Sequence, residues 1–246
     1  MSDRNPQYDH IGSKYDDYSR TATLKRAERH SISLMVGGLD GERVLDLACG
    51  LGFYTRLLKQ HGAGQVIGVD ISPEMIRIAR QHEEAEPLGI AYHVGNALEL
   101  PDLGSFDLIT AIWLLNYAKT KDELLHMFRM AYGKLNEDGR FVAFTINPAF
   151  DFRKSNLTKY GVTFLNETLE EDRYVLQGVF VVDPSTPVTV YRWSRHLYEW
   201  AITETGFREF AWHAPEVSPE DVEWYGPEYW QDFSHNCNGI GLICRK

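Results

Sequence analysis

The stretch 45–52 reads LDLACGLG and holds the residue types best suited to bring a ligand against the backbone. A short apolar run ends in an acid and then a glycine pair, the pattern of a strand turning into a helix. Gly50 and Gly52 lack the side chains that would keep a ligand away from the main chain. A second apolar run, 66–70, ends in Asp70, roughly 20 residues after Gly50. At that distance a βαβ unit presents a carboxylate to a pair of ribose hydroxyls. The spacing predicts a site for an adenosine-like ligand.

A nicotinamide site usually adds a third glycine, so that the helix packs closely and a pyrophosphate sits on its N-terminus. Thr55 stands there instead, and Asp46, before the glycine pair, suits an ammonium group better than a pyrophosphate. Five segments then follow in order: LDLACGLG (45–52), VIGVDISPEMIRIAR (66–80), GNALEL (95–100), FDLITAIWLLNYA (106–118) and LNEDGRFVAFTI (135–146). On these residues the chain resembles the class I S-adenosylmethionine-dependent methyltransferases, over roughly residues 41–146. The flanking QYDHIGSKYDDY (7–18), YGVTFLN (160–166), YRWSRHLYEWAITETGF (191–207) and HNC (235–237) make it most similar to the small-molecule N-methyltransferases of the toxoflavin pathway. Indole C-methyltransferases of alkaloid biosynthesis come second.

The resemblance implies a Rossmann-like α/β fold. It has a mainly parallel seven-stranded sheet with a terminal antiparallel strand, an N-terminal helical cap and a β-rich lid insert. It also implies S-adenosylmethionine as methyl donor, S-adenosylhomocysteine as product, and no metal. Ala48, Gly50 and Gly52 would admit the methionine and ribose, and Asp46 would face the ammonium, directly or through water. Asp70 would accept from the ribose hydroxyls, Ile71 and Met75 would sandwich the adenine, and Asn96 with Ala97 and Leu98 would meet its edge. Asn96 stands where the family often has an acid, and an amide can both donate and accept there. Tyr8, Tyr18, Ala111 and Tyr117 complete the expected cofactor contacts.

The acceptor side rests on aromatic residues. Tyr15 and Tyr18 are three apart and share a helix face. Trp113, Asn116 and Tyr117 follow the fourth strand, at the carboxyl edge where open α/β sheets bind ligands. Tyr191-Arg192-Trp193 offers rings beside a bidentate donor, and His235 a weak base near neutral pH. Tyr15, Trp113, Tyr191 and His235 are therefore the expected catalytic residues, and Asn116, Arg192 and Trp193 the expected acceptor contacts. Core packing for Trp113 and Tyr117, a surface ion pair for Arg192 and a structural role for His235 stay open.

The 246 residues, 43% apolar and 24% charged, fit one globular domain. A net charge of −10 argues against a nucleic-acid phosphate binder. No apolar run is long enough for a membrane span or a leader, so a cytoplasmic location is expected. Cys49, Cys237 and Cys244 lack metal-ligand spacing.

Three elements should position the site: a helical cap over 1–40, a cofactor-binding core over 41–146, and a lid insert over 147–192. The remainder, 193–246, completes the sheet. Strands are expected near 43–48, 65–70, 90–95, 106–113 and 140–146, with helices near 21–36, 53–60, 73–84 and 121–135. Two β-rich runs, 174–182 and 188–193, read as a hairpin within the insert. A helix near 194–205 and strands near 207–213 and 238–244 follow, in an aromatic-rich C-terminal quarter that leaves room for a homodimer contact.

Methyl transfer from a sulfonium needs alignment more than protein nucleophiles. An aromatic nitrogen or an indole carbon can attack before losing its proton. N-methylation of a small aromatic heterocycle in secondary metabolism is thus the leading reading, with indole C-methylation as the alternative. A non-catalytic adenosine-ligand sensor and a nicotinamide-dependent oxidoreductase are the rivals from other classes.

Overall fold

The computed structural model describes residues 12–246. Two helices, α1 (Gly12–Thr21) and α2 (Thr23–Val36), precede an alternation of strands and helices. That alternation runs β1 (Arg43–Leu47), α3 (Phe53–Gln60), β2 (Gln65–Asp70), α4 (Pro73–Ala85), β3 (Ala91–Val94), β4 (Phe106–Ile112), α5 (Lys121–Lys134) and β5 (Leu135–Ile146). The helix starts follow the sequence chemistry. Ser72 and Thr120 cap α4 and α5 by accepting from Met75 N and Glu123 N, and Pro73 occupies the first turn of α4.

The seven-stranded sheet has the order β3-β2-β1-β4-β5-β10-β9. β1 pairs in parallel with both β2 and β4, so strand order reverses between β1 and β4. β9 (Glu209–His213) and β10 (Gly239–Arg245) close the far side, with β10 antiparallel to both β5 and β9. The seven-stranded, mainly parallel expectation holds. β5 starts earlier than expected because residues 136–139 bulge out between the pairs Phe106–Leu135 and Leu108–Arg140.

The insert is larger than a hairpin. β6 (Val162–Glu170), β7 (Arg173–Phe180) and β8 (Thr186–Trp193) form a separate three-stranded antiparallel sheet. Its first strand lacks hydrophobic alternation because most of its residues stay exposed or half-exposed. After α6 (Arg195–Thr205), two short helices, α7 (Pro219–Tyr225) and α8 (Gln231–His235), lie between β9 and β10.

Each face of the main sheet has its own core. One gathers Phe128 of α5 with Phe141, Trp193, Tyr198 and Phe207; the other gathers Ile32, Leu57, Val66 and Ile76 from α2, α3, β2 and α4. A third core joins the two sheets. Leu24 and Ala27 of α2 meet Leu176, Val188 and Val190 of the second sheet and Trp230 and Phe233 of the C-terminal segment. Three polar ties reinforce that junction: Arg26 to Asp221, the Thr23 hydroxyl to the Tyr229 hydroxyl at 2.7 Å, and Glu216 N to Ser31 Oγ at 2.8 Å.

Trp193 ends β8 inside the core, fully buried, with Nε1 donating to Ala118 O at 3.2 Å. The sequence reading of Trp193 as an acceptor contact is therefore corrected. Trp193→Ala is expected to lower the unfolding free energy by about 3–5 kcal/mol, read from urea denaturation.

Candidate active site

The site lies at the carboxyl edge of β1, β2, β3 and β4, beside the reversal in strand order where open α/β sheets leave a crevice. A cavity of about 510 Å³ opens there, within the size range of cofactor sites. After β1 the chain makes a tight turn through Ala48 (φ 55°), Gly50 (φ 55°) and Gly52 (φ 85°). A side chain at Gly50 would meet nothing within 4 Å among the described residues, and Gly50 lines the cavity. Gly52 has another reason. A Cβ there would strike the Tyr92 hydroxyl, and Gly52 does not line the cavity. Its role is to admit Tyr92 of β3, which corrects the expectation that it touches a ligand.

Asp70 holds the crevice together. Its Oδ2 accepts from Gly50 N at 2.8 Å and its Oδ1 from Ser72 N at 2.9 Å, tying the turn after β1 to the start of α4. The Asp70 carboxylate also lines the cavity. Ile71, Met75, Ala97 and Leu98 add apolar wall. Asn96 also lines the cavity, with its side-chain oxygen accepting from Leu98 N at 3.0 Å.

Asp46 departs from its expected role. The carboxylate is buried away from the cavity, accepting from Thr55 Oγ1 at 2.6 Å and Thr110 Oγ1 at 2.7 Å. It therefore ties β1 to α3 and β4, and faces no ammonium site. Burial raises its pKa to about 6, against the lowering effect of the two hydroxyl bonds. Ala111, one residue past Thr110, points the other way into the core and contributes no cavity wall.

Beyond the crevice the cavity reaches Trp113, Leu114, Tyr117, Thr189 and Tyr191. Trp113 sits at φ 62°, a conformation that non-glycine residues seldom adopt, with its backbone N–H donating to Phe144 O at 2.7 Å. A smaller recess of about 40 Å³ continues beneath the second sheet and shares Tyr15, Trp113 and Tyr117 with the large cavity. Tyr18 and Asn116 line the recess alone, so Tyr18 is placed away from the expected cofactor contacts. Burial and the nearby Glu28 carboxylate push the Tyr15 hydroxyl pKa upward. Tyr15 stays a neutral phenol over the physiological range.

Two expected acceptor-side residues fall elsewhere. Arg192 lies on the opposite face of β8 from Tyr191, as strand alternation requires. Its guanidinium donates to Glu167 Oε1 and, at 2.9 Å, to Pro148 O. His235 is on α8, its Nδ1 paired with Gln231 O at 3.1 Å, and lines neither cavity. Tyr8 lies outside the described residues.

Lys25 and Glu28 line the recess and were not singled out from the sequence. An i, i+3 charge pair on an amphipathic helix ordinarily reads as a solvated surface pair. Here residues from distant segments bury it: Tyr15 and Tyr18 of α1, Tyr54 of α3, Trp113 after β4, and Val188 and Val190 of the second sheet.

Residues 44–139 match a family model described as a methyltransferase domain. A demethylmenaquinone methyltransferase of Symbiobacterium thermophilum is 30% identical over 167 residues, 64% of this chain and 65% of that protein. A magnesium-protoporphyrin O-methyltransferase of Rhodobacter capsulatus is 39% identical over 92 residues, 37% of this chain and 40% of that protein. The chain thus spans less than two thirds of the length of either relative. Among solved structures, the CcbJ methyltransferase of Streptomyces caelestis aligns with a TM-score of 0.68 at 19% identity, covering 97% of each chain. The S-adenosylmethionine-bound aminopentose methyltransferase of calicheamicin biosynthesis from Micromonospora echinaspora gives 0.60 at 17% identity, covering 96% of this chain and 97% of its own. The fold is that of the class I S-adenosylmethionine-dependent methyltransferases.

One of these structural relatives is S-adenosylmethionine-bound, and the cavity residues here suit that molecule. The missing side chain of Gly50 gives a ligand access to backbone, and Asp70 brings a carboxylate, an acceptor for ribose hydroxyls, to the cavity wall. Ile71, Met75 and Leu98 provide an apolar slot for a flat base.

Two outcomes follow. Asp70→Ala is expected to weaken S-adenosylmethionine binding by about 1–3 kcal/mol, measured by titration calorimetry. Asp46 acts on stability instead. Its folded pKa, about 6, lies above the unfolded value near 3.8, so the folded state resists ionisation. The Asp46-linked part of stability should be greatest below about pH 4, fall by roughly 2–3 kcal/mol as pH rises to about 6, and then level off. Asp46→Asn should remove that fall, as seen by subtracting its urea unfolding free energies from those of the parent at each pH.

Proposed function

We propose that the chain is an S-adenosylmethionine-dependent methyltransferase that methylates a ring nitrogen of a small aromatic heterocycle in secondary metabolism. The observation that carries this reading is the shared wall. Tyr15, Trp113 and Tyr117 line both the cofactor-sized cavity and the recess beneath the second sheet. A flat acceptor resting on these rings would lie between the crevice and the recess, held by aromatic faces. The bound sulfonium would supply an electrophilic methyl group, and aromatic faces can also favour its positive charge. The chain's own contribution is alignment and the exclusion of water, which bring two reactants into one geometry.

The size of the recess, about 40 Å³, favours a small acceptor over a polymer. The aminopentose methyltransferase among the structural relatives is described as acting in calicheamicin biosynthesis, which supports a small acceptor in a secondary pathway. A net charge of −10 agrees with a neutral small molecule better than with a nucleic acid. The third core packs the second sheet onto α2, which supports treating 1–246 as one methyltransferase unit with the insert as its roof.

The test is methyl transfer from isotopically labelled S-adenosylmethionine to a panel of azaheterocycles, with the methylated atom assigned by mass spectrometry and NMR. Product labelled on a ring nitrogen is expected. Label found only on ring carbon, or only on macromolecules, would overturn the nitrogen reading. Tyr191 lines the cavity and its ring carries Arg173 at 4.8 Å. Tyr191→Ala is expected to raise the acceptor KM by roughly 3- to 10-fold, the scale of about 0.5–1.5 kcal/mol for one aromatic contact. Cofactor affinity should stay within about twofold, as judged by calorimetry beside the kinetics.

A further inference from the structure

The recess under the second sheet is mostly apolar, walled by Val188, Val190 and Phe180 above and by Tyr18 and Leu24 at the side. Two side chains break that pattern. Asn116 is 1% exposed, and neither Nδ2 nor Oδ1 has a hydrogen-bond partner among the described residues. Glu28 is also 1% exposed and is used on one side only. Its Oε2 accepts from Lys25 Nζ at 2.7 Å, Tyr54 Oη at 2.5 Å and Trp113 Nε1 at 3.2 Å, whereas Oε1 has no partner among the described residues. Buried polar groups are nearly always paired, because leaving one unpaired forfeits its hydration. Three unpaired atoms on two residues of one small cavity therefore point to a ligand.

The chemistry of those atoms narrows it. An amide side chain offers one donor and one acceptor side by side, which complements an N–H adjacent to a C=O. Glu28 Oε1, on a carboxylate paired to Lys25, offers a further acceptor. The Lys25–Glu28 pair carries no net charge, and Lys25 is enclosed by rings, 5.5 Å from the centroids of Tyr18 and Tyr54 and 6.0 Å from that of Trp113. An ionised acceptor would have to give up its hydration on entering this mostly apolar recess, so the recess suits a neutral one.

We propose that Asn116 and Glu28 together read the acceptor, selecting an uncharged planar heterocycle with a lactam-type edge. Asn116 donates to its carbonyl and accepts from its N–H, and Glu28 Oε1 accepts from a second ring N–H. The proposal rests on the methyl-transfer reading of the adjoining cavity. With the lactam edge seated, Tyr15, Trp113 and Tyr117 hold the ring and its opposite edge faces the crevice. Lys25, Tyr54 and Trp113 act as positioning residues, because each fixes the Glu28 carboxylate through Oε2.

The test uses the full chain saturated with S-adenosylhomocysteine and titrated with two probes of similar shape, quinazoline-2,4-dione and quinazoline. The dione, which has the lactam edge, is expected to bind at least roughly tenfold more tightly. Asn116→Leu should bring the two probes within about twofold of each other while raising the melting temperature of the ligand-free protein, since two unpaired groups leave the interior. Should that variant not fold, Glu28→Gln keeps the shape and should cut the preference at least roughly threefold. Equal binding of the probes by the parent protein, or an undiminished preference in either folded variant, would overturn the proposal. Failure to bind S-adenosylhomocysteine with the dione preference intact would overturn the cofactor reading and leave the recess assignment standing.

Discussion

The architecture of the site depends on one carboxylate. Asp70, at the end of β2, accepts from the backbone N–H groups of Gly50 and Ser72 and so joins the turn after β1 to the start of α4. Without that bridge, two loops that meet only at the sheet edge would each have to find their own conformation. With it, the left-handed turn at Ala48 and Gly50 is held against the second strand. Cys49 N donating to Val69 O at 3.0 Å continues the same junction. The crevice is thus preorganised by hydrogen bonds the protein makes to itself, which lowers the ordering cost of binding.

Around that anchor, buried polar groups divide into two kinds. Asp46 has both oxygens taken by threonine hydroxyls and serves the sheet. Glu28 and Asn116 keep atoms unpaired and lie on a cavity. Both kinds are buried and polar, and only the accounting of partners separates structural use from capacity held for a ligand.

The cofactor half was largely legible in the sequence because the motif is local. The strand ends, glycines and acid lie in one βαβ unit, and β2 and α3 form over the expected spans. The misreadings share a physical origin. Asp46, Ala111 and Arg192 sit in strands, where neighbouring residues face opposite ways and a motif does not say which face meets the ligand. Gly52 is glycine because of Tyr92, a partner two strands away across the sheet. β6 hid because its face is mostly exposed, and α7 and α8 because seven and five residues carry little periodicity. The recess was invisible for a different reason. Its polar residues become buried only when α1, α3, the segment after β4 and the second sheet gather around α2, an event between segments far apart in the chain.

That packing shapes how the recess can change size. The helix α2 sends Leu24 and Ala27 into the core under the second sheet, and Ile32 and Met35 into a core of the main sheet. Its outer side is fastened to the C-terminal segment through Arg26, Thr23 and Ser31. A wall anchored on three sides gives little when pushed by an oversized guest. Tolerance for added ring substituents is then set by the side chains that line the recess, such as Phe180 and Val190.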